Sequence, residues 1–334
     1  MIAHRLKIFV MKGSLVLTRN IKLLGIPFTY GQDKAGVRLA AEVLRKYGLV
    51  DMLNELAPTL DLGDLGLNVS KSDLAYNGIK NEVESAIASQ RISKFIERED
   101  LEESFLLNIG GDHGMGLGVL HGLLHQRPDM VVIWADAHGD INTPESSPSG
   151  NFHGMPLSFL LEGAQNREVF EWLSRRLPAN KLILFGPRSL DAREKEIIEK
   201  LSIQYYSSAE INRRGSSEII KQALKKADPE GKCPIHLSLD IDFFDSEDVI
   251  STGTRESQGP EFEEVFFMGR ALSETGRLCS MDIVELNPEI GTWIDVDATF
   301  QTAMDFVRYT LNGCFRDNLH LNSKNQLEYV QIAN

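Results

Sequence analysis

Apolar residues fall along this chain in short consecutive blocks, at Ile21–Ile26, Phe105–Ile109, Met130–Ala135, Leu182–Phe185, Ile235–Ile241 and Cys279–Val284. A strand with one wet face alternates apolar and polar positions. A strand apolar at successive positions is buried on both faces, as in a parallel sheet. Between the blocks, apolar residues recur at helical spacing over Gly36–Leu56, Asn81–Glu97, Gly116–His125, Val169–Leu177, Arg193–Leu201, Ser217–Lys226, Glu261–Thr275 and Asp297–Leu311. This alternation predicts a single-domain three-layer α/β/α fold with a mostly parallel central sheet of about eight strands. Pro58–Ser72, rich in Gly, Asp and Leu without periodicity, reads as an excursion loop. No linker or repeat divides the chain. Residues 1–20 read as a basic extension, 21–314 as the folded domain and 315–334 as a polar tail.

Composition narrows the function classes. The 334 residues are 42% hydrophobic and 25% charged, which suits one large α/β domain. No run of 18 apolar residues occurs, so no membrane-spanning helix is expected. With 35 basic against 48 acidic residues, the formal charge of -13 argues against nucleic acid or anionic lipid as a partner and suits a cationic small molecule. Cys233, Cys279 and Cys314 form no CxxC, which points away from a disulfide framework or zinc ribbon and toward a reducing compartment. The first 32 residues lack Asp and Glu but carry Arg5, Lys7, Lys12, Arg19 and Lys22. A cytoplasmic location is expected, with a mitochondrial transit peptide as the alternative.

The chemistry is concentrated at block ends. GGDH follows the block ending at Ile109, DAHGD the block ending at Ala135, Asp240 and Asp242 close the block beginning at Ile235, and Glu285 follows Val284. In open parallel sheets ligands gather at the carboxyl ends of strands. Residues 136, 138 and 140 alternate, as do 240 and 242, so in extended chain each set faces one side. His113, Asp136, His138, Asp140, Asp240 and Asp242 thus offer two imidazoles and four carboxylates. Carboxylates this dense repel one another unless a cation holds them. A pair of divalent ions is the simplest answer. Carboxylate and imidazole donors without thiolate suit Mn²⁺, and a metal pair implies hydrolysis by activated water. No GxSxG is present to suggest a serine nucleophile. His121 and His125 lie four apart on a helix without the glutamate of HExxH and read as surface or helix-end residues.

With GIPFTYGQ, GGDHG, WADAHGDINTP, SGNFHGMPLSFLL, SLDID, TGT and MDIVELNP in this order, the chain resembles the ureohydrolases and, within them, the arginases, from about Ile21 to Leu311. The resemblance implies two Mn²⁺ per chain. His113, Asp136, Asp140 and Asp240 would hold one ion; His138, Asp136, Asp240 and Asp242 the other. It implies hydrolysis of L-arginine to L-ornithine and urea in a homotrimer. Asp140, His153 and Glu285 would be catalytic, with His153 as proton shuttle and Glu285 beside the guanidinium group. Asn142, Ser149 and Asn151 would meet the α-carboxylate end, Asp191 with Glu194 the α-amino group, and Thr254 the pocket wall. Each also has an ordinary reading. Asn142, Ser149 and Asn151 fit turns, and Asp191 fits an N-cap for the helix starting near Arg193.

The chain also departs from the family pattern. Gly114 stands where serine is usual, and Phe243, Ser246, Ile250, Arg255 and Gln258-Gly259 replace glycines and prolines in the loop after SLDID. Arg255 would put a cation near a cationic substrate. Two further readings therefore stand beside the arginase: a folded, weakly active or inactive relative with a binding or regulatory role, and an agmatinase-type amidinohydrolase.

Overall fold

The computed structural model describes residues 19–72, 74–164 and 167–315. The basic extension up to residue 18 and the tail from 316, with the transit-peptide reading, lie outside the described residues.

Among the described residues there are ten strands: β1 (Asn20–Ile26), β2 (Thr59–Asp64), β3 (Ala75–Tyr76), β4 (Ile79–Lys80), β5 (Ser104–Gly110), β6 (Val131–Ala135), β7 (Leu182–Gly186), β8 (Gln204–Ser207), β9 (Ile235–Asp240) and β10 (Leu278–Val284). Eight form one sheet in the order β2-β1-β5-β10-β9-β6-β7-β8, and β3 and β4 form a separate small hairpin. Every pairing in the large sheet is parallel. Side chains alternate across it. Ile21, Phe105, Ile133, Ile183, Leu237 and Met281 enter one buried core, while Leu24, Leu106, Val132, Leu184 and Val284 enter the other. Helices cover both faces, giving the expected three layers.

The six apolar blocks are the interior strands together with β1 and β7 beside the edges. The outermost strands, β2 and β8, carry few apolar positions and are largely half-exposed. A strand with a wet edge lacks the consecutive-apolar signature, which is why β2 lies inside the segment read as a loop. Other boundaries differ for local reasons. Gly36–Leu56 is two helices, Ala40–Lys46 and Leu49–Leu56, interrupted at Gly48 with φ 88°, a left-handed turn that glycine adopts freely. The last helix starts earlier than its apolar pattern, at Trp293, because Thr292 and Asp295 form a capping box. Val169–Leu177 is not a helix; only Glu168–Phe170 forms a 3-10 turn. The N–H groups of Ser174 and Arg175 go to the His121 ring and that of Leu177 to the Leu160 carbonyl. Those donors are unavailable to helical bonds.

Candidate metal centre and its cavity

β5, β10, β9 and β6 are adjacent in the sheet, although they are spread over 181 positions of chain, from Ser104 to Val284. Their carboxyl ends bring GGDH, Glu285, Asp240 and DAHGD together. Close backbone approach makes this possible. A Cβ on Gly111 would lie 1.7 Å from the Phe28 carbonyl oxygen, so the turn after β5 admits only glycine there. Gly114 is explained in the same way, since a Cβ would come within 2.9 Å of the Phe28 and Phe152 rings.

Two groups of donors result: His113, Asp136 and Asp240, and Asp136, His138 and Asp242, each with ligand atoms within 4.8 Å of one another. Asp136 belongs to both. His113 Nδ1 lies 2.9, 3.1 and 3.3 Å from carboxylate oxygens of Asp136, Asp140 and Asp240. His138 Nδ1 lies 3.3 and 3.2 Å from Asp136 and Asp242. The opposite nitrogen of His113 meets Ser238 Oγ at 2.9 Å, and its ring stacks on Trp134 at 3.8 Å.

Electrostatics fit a cation. Burial and repulsion by Asp136 push the Asp140 carboxyl up to about 7. Burial, then Asp242 and Asp136, push Asp240 well above the carboxylate range. Burial works to raise Asp136 too, but its hydrogen bonds to both imidazoles hold it well below that range. Burial works to lower His113, yet its surrounding carboxylates raise it well above an ordinary histidine. The carboxylates thus retain protons on themselves and on imidazoles because their charge is uncompensated. A divalent ion replaces such protons. Donors that are all carboxylate oxygen and imidazole nitrogen fit a hard or borderline ion such as Mn²⁺.

A cavity of about 130 Å³ opens beside these groups, lined by His138, Asp140, Asn142, His153, Gly154, Ser189, Asp191, Glu194, Asp240 and Thr254. Asn142 Nδ2 donates to Asp191 Oδ2 at 2.9 Å. Asp191 is also the N-cap of the helix Ala192–Leu201, and its N–H donates to Glu194 Oε2 at 2.9 Å. The capping role and a place in the cavity wall therefore coexist. Thr254 Oγ1 donates to Asp242 Oδ2 at 3.0 Å. Ser149 and Asn151 are not among the lining residues. Ser149 Oγ accepts from the Asn151 N–H and Asn151 Oδ1 from Lys80, both at 3.1 Å, which is turn and surface chemistry. Arg255 is exposed and lines a wider outer mouth with His138, Ser246, Gly253, Thr254 and Glu256.

Glu285 is buried beneath the cavity. Its Oε1 accepts from the His113 N–H and pairs with His153 Nδ1, each at 3.0 Å, and its Oε2 accepts from Gln32 Nε2 at 2.6 Å. Burial works to lower His153, but the Glu285 hydrogen bond and charge, with Asp112 and Asp140, raise it to about 9. Asp140 and Glu285 adopt left-handed backbone, with φ 50° and 63°, a strained conformation for either residue that is common at functional sites. Gln32, Asp112, Trp134, Ser189 and Ser238 were not singled out from sequence. Ser238 had a signal, since it stands two residues before Asp240 on the same strand face. The others are legible only once β1, β5, β6 and β7 are aligned.

A third group, Glu97, His121 and His125, lies apart from this centre. His121 is buried rather than superficial. Its Nε2 accepts two backbone N–H groups, so the ring proton sits on Nδ1, 2.7 Å from Ser93 Oγ, which in turn donates to Glu97. A nitrogen carrying that proton offers no lone pair to a metal. His236, which carried no signal, is fully buried with Nε2 3.3 Å from Asp282.

The sequence profile of the Arginase family matches residues 19–312. The chain is 37% identical to the arginase of Plasmodium berghei over 300 residues, 82% of this chain and 84% of that one. It is 33% identical to arginase-1 of Rattus norvegicus over 319 residues, 94% and 98% of the two chains. The crystal structure of Entamoeba histolytica arginase in complex with L-ornithine superposes with a TM-score of 0.79 at 30% identity, covering 87% of this chain and 99% of that one.

Proposed function

The chain belongs to the arginase family, and from that premise we propose that it hydrolyses L-arginine to L-ornithine and urea with two Mn²⁺ per subunit, as a homotrimer. The observation that carries the reading is the pair of donor groups sharing Asp136 at the floor of a small polar cavity. His113, Asp136, Asp140 and Asp240 would hold one ion, and His138, Asp136, Asp240 and Asp242 the other. When bound, such a pair supplies a water of lowered pKa and positive charge for the developing negative charge.

The chain's own groups do the rest. Asp140, in the cavity wall, takes a proton at one oxygen and returns it to the departing nitrogen. His153 has Nδ1 bound to Glu285, which leaves Nε2 to exchange protons between the cavity and water. Glu285 supplies a fixed negative charge for the guanidinium group and orients His153. Asn142 and Asp191, joined to each other, present an amide and a carboxylate to the amino-acid end of the substrate. Ser149 and Asn151 take part only if the 147–151 turn closes over a bound substrate. Thr254 stays on the wall beside Asp242.

That Asn142 and Asp191 form one polar end favours a substrate with an amino-acid head over agmatine, which has none. The test is urea release by Mn²⁺-loaded protein from L-arginine and from agmatine. Faster release from arginine is expected. Preference for agmatine would move the assignment to that amidinohydrolase, and no release from either would leave a non-hydrolytic relative.

A further inference from the structure

The two imidazoles of the metal centre are supported differently. Both turn Nδ1 toward the shared carboxylates. His113 has its outer nitrogen fixed by Ser238 and its ring stacked on Trp134, and it is buried. His138 is the open member, with 25% of its side chain accessible, and its Nε2 faces Glu256 Oε1 at 3.7 Å. Glu256 sits in the diverged loop. Its carbonyl accepts from Arg188 Nη2 at 3.0 Å and from the Ser246 N–H at 3.2 Å, so its backbone is pinned. Residues 254 and 256 alternate toward the centre. Thr254 meets Asp242, Glu256 meets His138, and Arg255 between them is exposed. At 3.7 Å the carboxylate faces the ring nitrogen from just beyond hydrogen-bond distance. A partly exposed glutamate on a fixed backbone has the side-chain freedom to close that gap.

We propose that Glu256 is a positioning residue for the metal ligand His138, accepting a hydrogen bond from its Nε2–H and so holding the Nδ1 lone pair on the ion. A ligating imidazole usually donates its other N–H to such a group, which fixes the tautomer and raises ligand basicity. The proposal rests on the dinuclear reading above. It gives the diverged loop a purpose: the loop supplies from the protein surface the outer support that Ser238 supplies to His113 from within the sheet.

The test uses the full chain, stripped and titrated with Mn²⁺, with bound metal read as two equivalents. Glu256→Ala should weaken one equivalent by about 10–100-fold, the usual scale for loss of such a partner. The other equivalent and the melting temperature of the metal-free protein should not change. Glu256→Gln, whose amide oxygen still accepts but carries no charge, should lose less. Unchanged binding of both equivalents in both variants overturns the proposal. So does equal loss of both with a lowered metal-free melting temperature, which marks a merely structural role. Wild-type protein binding fewer than two equivalents would sink the dinuclear reading and this inference together. Two equivalents bound without hydrolysis of arginine or agmatine would sink only the proposed reaction.

Discussion

In the proposed reaction His153 and Glu285 divide the work. Glu285 has three protein donors and is buried, so it acts from a fixed place. His153 reaches the cavity and is not in either donor group. His153→Ala should therefore lower turnover roughly a hundredfold, the scale of lost general acid–base catalysis, with Mn²⁺ content unchanged. Loss of metal in that variant would mean that His153 shapes the centre instead. Asp136 is the shared donor, so Asp136→Asn should lose both Mn²⁺ equivalents where His113→Ala loses chiefly one, as metal analysis after gel filtration will show. His121 illustrates a structural histidine. Burial, then the charge of His125, lower its pKa to about 4 from an ordinary 6.5. The unfolded chain takes up this proton first as pH falls, so the stability contributed by neutral His121 is present above about 6.5 and is lost toward 4. His121→Leu orphans two backbone N–H groups and should cost about 2 kcal/mol at neutral pH. In chelated protein the gap to wild type should narrow as pH is lowered; a gap independent of pH refutes the assignment.

At the scale of elements, the loop from Phe243 to Gly259 contains no proline to stiffen it, and its path is held by other means. Arg188, in the turn after β7, donates to the carbonyls of Asp242, Phe243, Phe244, Glu256 and Ser257. Phe243 fits only because Gly186, at φ 93°, has no side chain; a Cβ there would lie 2.1 Å from the Phe243 ring. Arg188→Met removes a charged donor from several carbonyls and should destabilise the protein by about 3 kcal/mol. Chemical denaturation measures that loss, and limited proteolysis should cut first within residues 243–260. Stable protein with an uncut loop would show that packing alone sets the path. Strands were legible where both faces are buried, and helices where an apolar stripe faces the sheet. Thr59–Asp64 and Gln204–Ser207 were not, because an edge strand needs little apolar residue. Val169–Leu177 misled because its apolar positions do pack, but on a turn whose N–H groups are bound by His121 and Leu160.

For the whole molecule, the donors of the centre come from the carboxyl ends of three strands, β5, β6 and β9, so a bound ion ties the middle of the sheet together. Ligands that bind only the folded state raise its stability. Chelation should lower the melting temperature, and Mn²⁺ readdition should restore it in proportion to the logarithm of its concentration; a melting temperature indifferent to both would argue against a metal centre. For the proposed homotrimer, light scattering should report three times the 37.4 kDa chain mass, and a monomer at micromolar concentration would count against it.

The sequence by itself determined the fold class and six of the eight strands of the sheet, and it singled out His113, Asp136, His138, Asp140, Asp240 and Asp242 as candidate donors, because apolar blocks end directly in short motifs whose alternation aims side chains one way. It did not determine which strand ends meet. That depends on β9 and β10 inserting between β5 and β6, an outcome of packing among segments far apart in the chain. Only the tertiary structure placed Gln32 on Glu285, Ser238 on His113 and Glu256 beside His138. Only it separated Asn142 and Asp191, which wall the cavity, from Ser149, which does not. Local spacing specifies which groups a strand end carries; long-range register and loop path decide which of them share a site.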